Sequence, residues 1–182
     1  MEFKYGQWIA MERAKKVIDE VFSKFEEKFG RKYAKVTPEF TEDADILLVT
    51  MGSMTSTTRE FVKRMRENGK KVGLVKLTVF RPFPKEELKE ILKNAKVVAV
   101  LERNISFGFG GAVYAEISSA LSSLKEKPKI VDFIIGLGGR DITFKSLEAA
   151  LRIAERAMKE EVDEINWIDV NKEAVLKAEG LL

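Results

Sequence analysis

Two residue types are missing from this 182-residue chain: it has no cysteine and no histidine. Without thiols it cannot supply thiolate ligands to zinc or to an iron–sulfur cluster, nor form a disulfide. Without imidazole it has no Ser-His or Cys-His pair and no side chain whose ordinary pKa lies near neutrality. Glutamine is nearly absent too, Gln7 being the only one. Few thermolabile residues beside many lysines and glutamates is a hyperthermophile signature. Charge is balanced, at a net +3 with both signs interspersed, so there is no basic stripe of the kind that binds nucleic acid. No apolar run approaches the ~20 residues of a membrane helix. The start, Met1-Glu2-Phe3-Lys4-Tyr5, lacks the apolar stretch of a secretory signal. A cytoplasmic location fits, as does one globular domain, since 45% of residues are hydrophobic and 34% charged.

What is present is an alternation of strand-like and helix-like runs. Ala14, Val17, Ile18, Val21, Phe22, Phe25 and Phe29 recur at helical spacing and stop at Gly30, predicting an amphipathic helix from about Ile9 to Phe29. Phe3, Tyr5 and Trp8 precede it; they either pack on this domain or mark a linker that lies on a preceding one. Val36–Phe40 reads as a short edge strand, because Pro38 cannot donate within a sheet. Ile46–Met51, Val72–Val79, Val97–Leu101 and Ile130–Ile135 are apolar on both faces, as buried parallel strands must be. Helices are expected after each: one through Asn68, with Thr57 and Glu60 at capping-box spacing; one with Pro84 in its first turn; one carrying Val113, Ile117 and Leu121; and one from Thr143 to Met158. Trp167 and Ile168 are expected to pack back on the core. The fold class is α/β, a three-layer α/β/α sandwich around a mostly parallel five-stranded sheet. The expected divisions are a linker and helix over 1–32, the α/β domain over 33–158, and an extension packing on it over 159–182.

The loops after the strands lie on the edge of the sheet where ligands and partner domains dock in open α/β folds. Candidate ligand-edge or interface residues are Gly52, Ser53, Thr55, Arg81, Glu102, Arg103, Asn104, Gly138, Gly139, Arg140 and Asp141. Gly136-Leu137-Gly138-Gly139 is not a dinucleotide fingerprint, since its third glycine would fall at Asp141, and Gly108-Phe109-Gly110-Gly111 fails at Val113. Both runs read either as tight turns or as anion cradles at a helix N-terminus. The hydroxyl-rich Gly52–Thr58 run reads as helix capping or as a phosphate or carboxylate site. Glu102, ending an apolar strand, is an ion-pair partner or an isolated acid–base group. No catalytic pair, cofactor ligand or metal ligand is evident.

Four of these segments occur in one order: Met51-Gly52-Ser53, Arg81-Pro82-Phe83-Pro84, Glu102-Arg103-Asn104-Ile105-Ser106 and Gly136-Leu137-Gly138-Gly139-Arg140-Asp141. Together they resemble the C-terminal domain of the alpha subunit of 2-oxoacid:ferredoxin oxidoreductases, in particular the pyruvate and branched-chain members. The likeness runs from about Tyr33 to Met158. It implies a domain similar to the C-terminal domain of transketolase, with four parallel strands and one antiparallel.

For the assembled enzyme the resemblance implies oxidative decarboxylation of a 2-oxoacid to an acyl-CoA, with thiamine diphosphate, Mg, iron–sulfur clusters and CoA. The partners implied are a thiamine-binding alpha-subunit domain, beta, gamma and delta subunits, and ferredoxin. No cofactor ligand carries over to a residue of this chain. The expectation is a truncated, fragmentary or separately encoded piece of an alpha subunit, with a structural and docking role. Self-association through Phe3, Tyr5, Trp8, Phe107 and Phe109 is expected when it is isolated. The competing expectation is a free-standing module that binds a small anion at the Gly/Ser-rich loops.

Overall fold

A computed structural model describes residues 1–181. The chain runs α1 (Glu2–Phe29), β1 (Val36–Glu39), β2 (Ile46–Met51), α2 (Met54–Glu67), β3 (Val72–Leu77), α3 (Lys85–Leu92), β4 (Val97–Glu102), α4 (Ala112–Leu121), β5 (Lys129–Ile134), a 3-10 turn (Leu137–Gly139), α5 (Phe144–Ala157), β6 (Ile165–Trp167) and α6 (Lys172–Ala178). The strands form one sheet in the order β1-β3-β2-β4-β5-β6. The pairs β3–β2, β2–β4, β4–β5 and β5–β6 are parallel, and only β1 runs antiparallel, against β3.

The three-layer, mostly parallel architecture agrees with the pattern of apolar runs. One face of the sheet packs Ile46, Leu48, Val97, Ala99, Val131 and Phe133 against Phe61 and Val62 of α2 and Leu147 and Leu151 of α5. The other packs Leu47, Val49, Val98 and Val100 against Leu88 and Leu92 of α3 and Val113, Ile117 and Leu121 of α4. Burial on both faces leaves β4 without a solvent side, so all six of its residues are buried. Pro38 lies on the edge strand, where its missing N–H costs no ladder bond.

The sheet has six strands where five were expected. The sixth is Ile165–Trp167, which pairs with Asp132–Ile134 of β5, and Ile168 just beyond it is buried. The edge strand β1 ends at Glu39 rather than Phe40, and β3 ends at Leu77 rather than Val79. The helix α2 starts at Met54 with Ser53 in the N-cap position, so Thr57 and Glu60 lie inside it and form no capping box. Pro84 occupies the N-cap of α3 rather than its first turn. The helix α5 starts at Phe144 rather than Thr143, and Thr143 is its N-cap: its hydroxyl accepts from the Ser146 backbone N–H while the Ser146 hydroxyl accepts from the Thr143 N–H.

The helix α1 begins at Glu2, so Phe3, Tyr5 and Trp8 lie on it rather than ahead of it. None of its residues is buried. It lies beside α3 and the β3–α3 loop, held by Lys35, whose ammonium bridges Asp19 of α1 (2.8 Å) and Glu87 of α3 (2.7 Å). Phe25 packs edge-on to Tyr33.

Candidate docking edge

Because β2, β3, β4 and β5 are parallel, the loops after them leave the same edge of the sheet. The first is Gly52–Thr55. Gly52 and Ser53 are exposed, but Thr55 is buried in the first turn of α2, its hydroxyl 3.0 Å from that of Thr50. Ser53 makes no side-chain cap. The Thr55 hydroxyl is therefore engaged internally. In the second loop, Arg81 stacks over Phe80 and its guanidinium donates to the Phe80 carbonyl and to Glu116 of α4.

The third loop carries the densest chemistry. Glu102, at the end of β4, is buried beneath the first turn of α4. Its carboxylate accepts from the backbone N–H of Val113 (3.0 Å) and Tyr114 (2.6 Å) and from the Asn104 amide (2.6 Å). The Asn104 carbonyl in turn accepts from the Ala112 N–H at 3.0 Å. An anionic side chain thus already occupies the helix N-terminus, where free donors and the dipole favour negative charge. Gly111 makes this possible, because a Cβ there would overlap the Glu102 carboxyl group. Burial pushes the Glu102 pKa up from the usual carboxylate range, against the pull of its donors.

A second carboxylate, not anticipated among the site residues, lies on the next strand. Asp132 of β5 pairs in register with Val100 of β4, is fully buried, and accepts from the Gly111 N–H at 2.8 Å. Burial, and secondarily the nearby charge of Glu102, push its pKa up to about 6, while the Gly111 N–H pulls it down. The available signal was a lone acid inside a strand that must be buried on both faces.

Beyond these carboxylates the edge is open. Phe107 and Phe109 are 89% and 63% exposed, on a loop closed by an antiparallel bridge between Ser106 and Gly110. Arg103 is exposed and its Nε donates to the Gly136 carbonyl at 3.2 Å, tying the third loop to the fourth. In the fourth loop Gly136, Gly138 and Gly139 all have positive φ, so this run is a set of tight turns that side chains would strain. Arg140 and Asp141 that follow are both exposed. Among the described residues, hydrogen bonds join the third loop to the fourth, but none joins Gly52–Thr55 or Arg81 to them.

The edge combines exposed aromatic and arginine side chains with buried carboxylates. Its hydroxyls have no base beside them, and its buried carboxylates are spent on backbone N–H groups. The iron–sulfur clusters implied by the resemblance do not fit it, because the chain has no thiolate to ligate one. Among the described residues, no three Asp or Glu side chains gather to hold a metal, and no helix is long and apolar enough to cross a membrane.

The family of pyruvate:ferredoxin oxidoreductase core domain II matches residues 44–147. The chain is 57% identical over 177 residues to the pyruvate synthase subunit PorA of Pyrococcus furiosus, covering 96% of this chain and 45% of that one. It is 42% identical over 174 residues to the ketoisovalerate oxidoreductase subunit VorA of Pyrococcus horikoshii, covering 94% and 44%. It thus spans less than half the length of these relatives. Among solved structures, a split-gene transketolase, an inactive beta4 tetramer, aligns with a TM-score of 0.54 at 19% identity, over 71% of this chain and 44% of that one. That is a likeness of fold.

Proposed function

The chain belongs to the pyruvate:ferredoxin oxidoreductase core domain II family, and on that premise we propose that it is the docking domain of a 2-oxoacid:ferredoxin oxidoreductase alpha subunit. The assembled enzyme oxidatively decarboxylates a 2-oxoacid to an acyl-CoA; this chain contributes structure and contacts, not reacting groups. The observation that carries the proposal is the composition of the loop edge. Exposed Phe107, Phe109, Arg103 and Arg140 stand there without a nucleophile–base pair, in a chain that has no cluster ligand. Aromatic and arginine side chains are the residues that anchor protein interfaces.

The thiamine diphosphate, its Mg and the iron–sulfur clusters are held elsewhere in the assembly, on the thiamine-binding alpha-subunit domain and on the beta, gamma and delta subunits, with ferredoxin as acceptor. The higher identity to the pyruvate synthase subunit supports pyruvate over a branched-chain substrate. The lysine- and glutamate-rich composition supports a hyperthermophilic, cytoplasmic source. In this reading 33–158 is the docking domain, 1–32 leads into it, and 159–182 packs on it. The competing reading, a free-standing anion-binding module, is weakened because Glu102 fills the α4 N-terminus and Thr55 is bonded to Thr50.

Immobilised chain, offered the thiamine-binding parts of the alpha subunit with the beta, gamma and delta subunits, is expected to retain them. Failure to retain any of them, with submicromolar thiamine diphosphate binding by the chain alone in calorimetry with Mg²⁺, refutes the proposal.

A further inference from the structure

The helix α1 runs for 28 residues, about 42 Å, and carries two apolar sides. On one, Ile18, Phe22 and Phe25 are half-buried, the last two against Tyr33. The other is uncovered. Phe3, Gln7, Ala10, Ala14, Val17 and Val21 alternate at spacings of four and three, the repeat that keeps one seam facing a partner helix. Lys24 and Lys28 continue it to the end of the helix. Phe3 is 77% exposed, and Val17 and Val21 are each 54% exposed. The side of α1 with Trp8, Glu12 and Lys15 borders α4, whereas Val17 and Val21 border an open groove over residues 78–81.

This seam is complementary to itself. In an antiparallel pair that overlaps along all of Glu2–Phe29, Ala14 lies opposite Val17 and Ala10 opposite Val21. Each central layer thus sets a small side chain against a larger one. Phe3 lies opposite Lys28 and Gln7 opposite Lys24, where the lysine stems cover apolar surface and their ammonium groups reach water. Arg13 and Glu20 flank one side of the seam, and the same register sets Arg13 of each copy beside Glu20 of the other. Arg13 is exposed and makes no ion pair among the described residues, and Glu20 pairs with Lys16 at 3.9 Å. A parallel pair would instead stack Lys24 on Lys24 and Lys28 on Lys28, which like charge opposes.

We infer that the Phe3–Ala10–Val17–Val21 side of α1 docks a second copy of this chain, paired antiparallel about a two-fold axis with reciprocal Arg13–Glu20 bridges. The contact is isologous, one patch serving on both copies. Gln7, Lys24 and Lys28 in the seam fix the register at a cost in strength, so the pair is concentration-dependent. The pairing does not rest on the proposed function.

Analytical ultracentrifugation of the full chain, from micromolar to millimolar concentration, tests it. Wild type is expected to pass from monomer to dimer. Val17→Glu puts a charge into the seam and is expected to weaken the dimer at least about tenfold. Phe3→Ser, which strips the largest apolar group from both ends, is expected to weaken it as well. Arg13→Glu and Glu20→Arg each turn both bridges into like-charge contacts and are expected to weaken it about fivefold. The double variant rebuilds both bridges with their signs exchanged, and is expected to return to within about twofold of wild type. All four positions are exposed, so circular dichroism should show unchanged helix content. The inference is overturned by a chain that stays monomeric, by a dimer that Val17→Glu leaves intact, or by a double variant no better than the single ones. A monomeric chain whose Val17→Glu variant fails to retain the thiamine-binding parts of the alpha subunit would give the seam to that partner instead. A chain that pairs as expected but retains no partner subunit keeps the α1 pairing and loses the docking function.

Discussion

Replacing Asp132 by Asn should stabilise the fold at neutral pH and flatten its dependence on pH. Asp132 is fully exposed to bulk water when unfolded and fully buried when folded, with a pKa raised from 3.8 to about 6. Between those values the folded state binds more protons than the unfolded state. Stability from this group is therefore full below about pH 4 and is lost as pH rises through about 6. Two pKa units correspond to about 3 kcal/mol. Asn is neutral at every pH and can still accept from the Gly111 N–H through its carbonyl, so the variant escapes the cost of a buried charge. Its amide N–H group lacks an evident acceptor, which offsets part of the gain. We expect a net gain of about 1–3 kcal/mol at pH 7.5, or roughly 2–10 °C for a domain of this size, and little or none at pH 4.5. Calorimetry of both proteins across this range measures it. A variant less stable at pH 7.5, with the wild-type slope unchanged between pH 4 and 6, refutes the reasoning.

Gly111→Ala should destabilise the domain by at least about 2 kcal/mol in urea denaturation, because the new methyl group overlaps the Glu102 carboxylate and forces α4 off the sheet. Arg140→Ala should melt within about 0.5 kcal/mol of wild type, since the side chain is exposed. It should still weaken retention of the partner subunits by about 2–5 kcal/mol if an interfacial charge pair is broken, which a titrated pull-down resolves. Phe3, Tyr5, Trp8, Phe107 and Phe109 are all more than 60% exposed, so the isolated chain should self-associate in light scattering at high concentration, and changing all five to Ser should return it to monomer.

The layered fold was legible because β2 to β5 are apolar on both faces and each is followed by a helix of period 3.6. The edge position of β1 was readable from Pro38, whereas its antiparallel direction came only from the family resemblance. The sixth strand was not legible: Ile165-Asn166-Trp167 has no period, and it becomes a strand only through its register with β5. The start of α1 was hidden by Gly6, a poor helix residue, and by aromatics whose helical face is left unburied. For the loops, order along the chain gave their common edge, because parallel strands impose it. Their individual roles were less visible. Glu102 reads as an edge charge until the position of α4 shows its oxygens bonded to Val113 and Tyr114. Asp132 sat unnoticed inside a strand, because its significance depends on a glycine twenty-one residues earlier.

Reconstitution bears most directly on the division of labour. The thiamine-binding part of the alpha subunit and the beta, gamma and delta subunits would be assayed for pyruvate- and CoA-dependent ferredoxin reduction, with and without this chain. We predict no activity from the chain alone, little from the other parts alone, and restoration when they are mixed, with less restoration by Arg140→Ala. Turnover by the chain alone, or full activity of the other parts without it, would contradict a docking role.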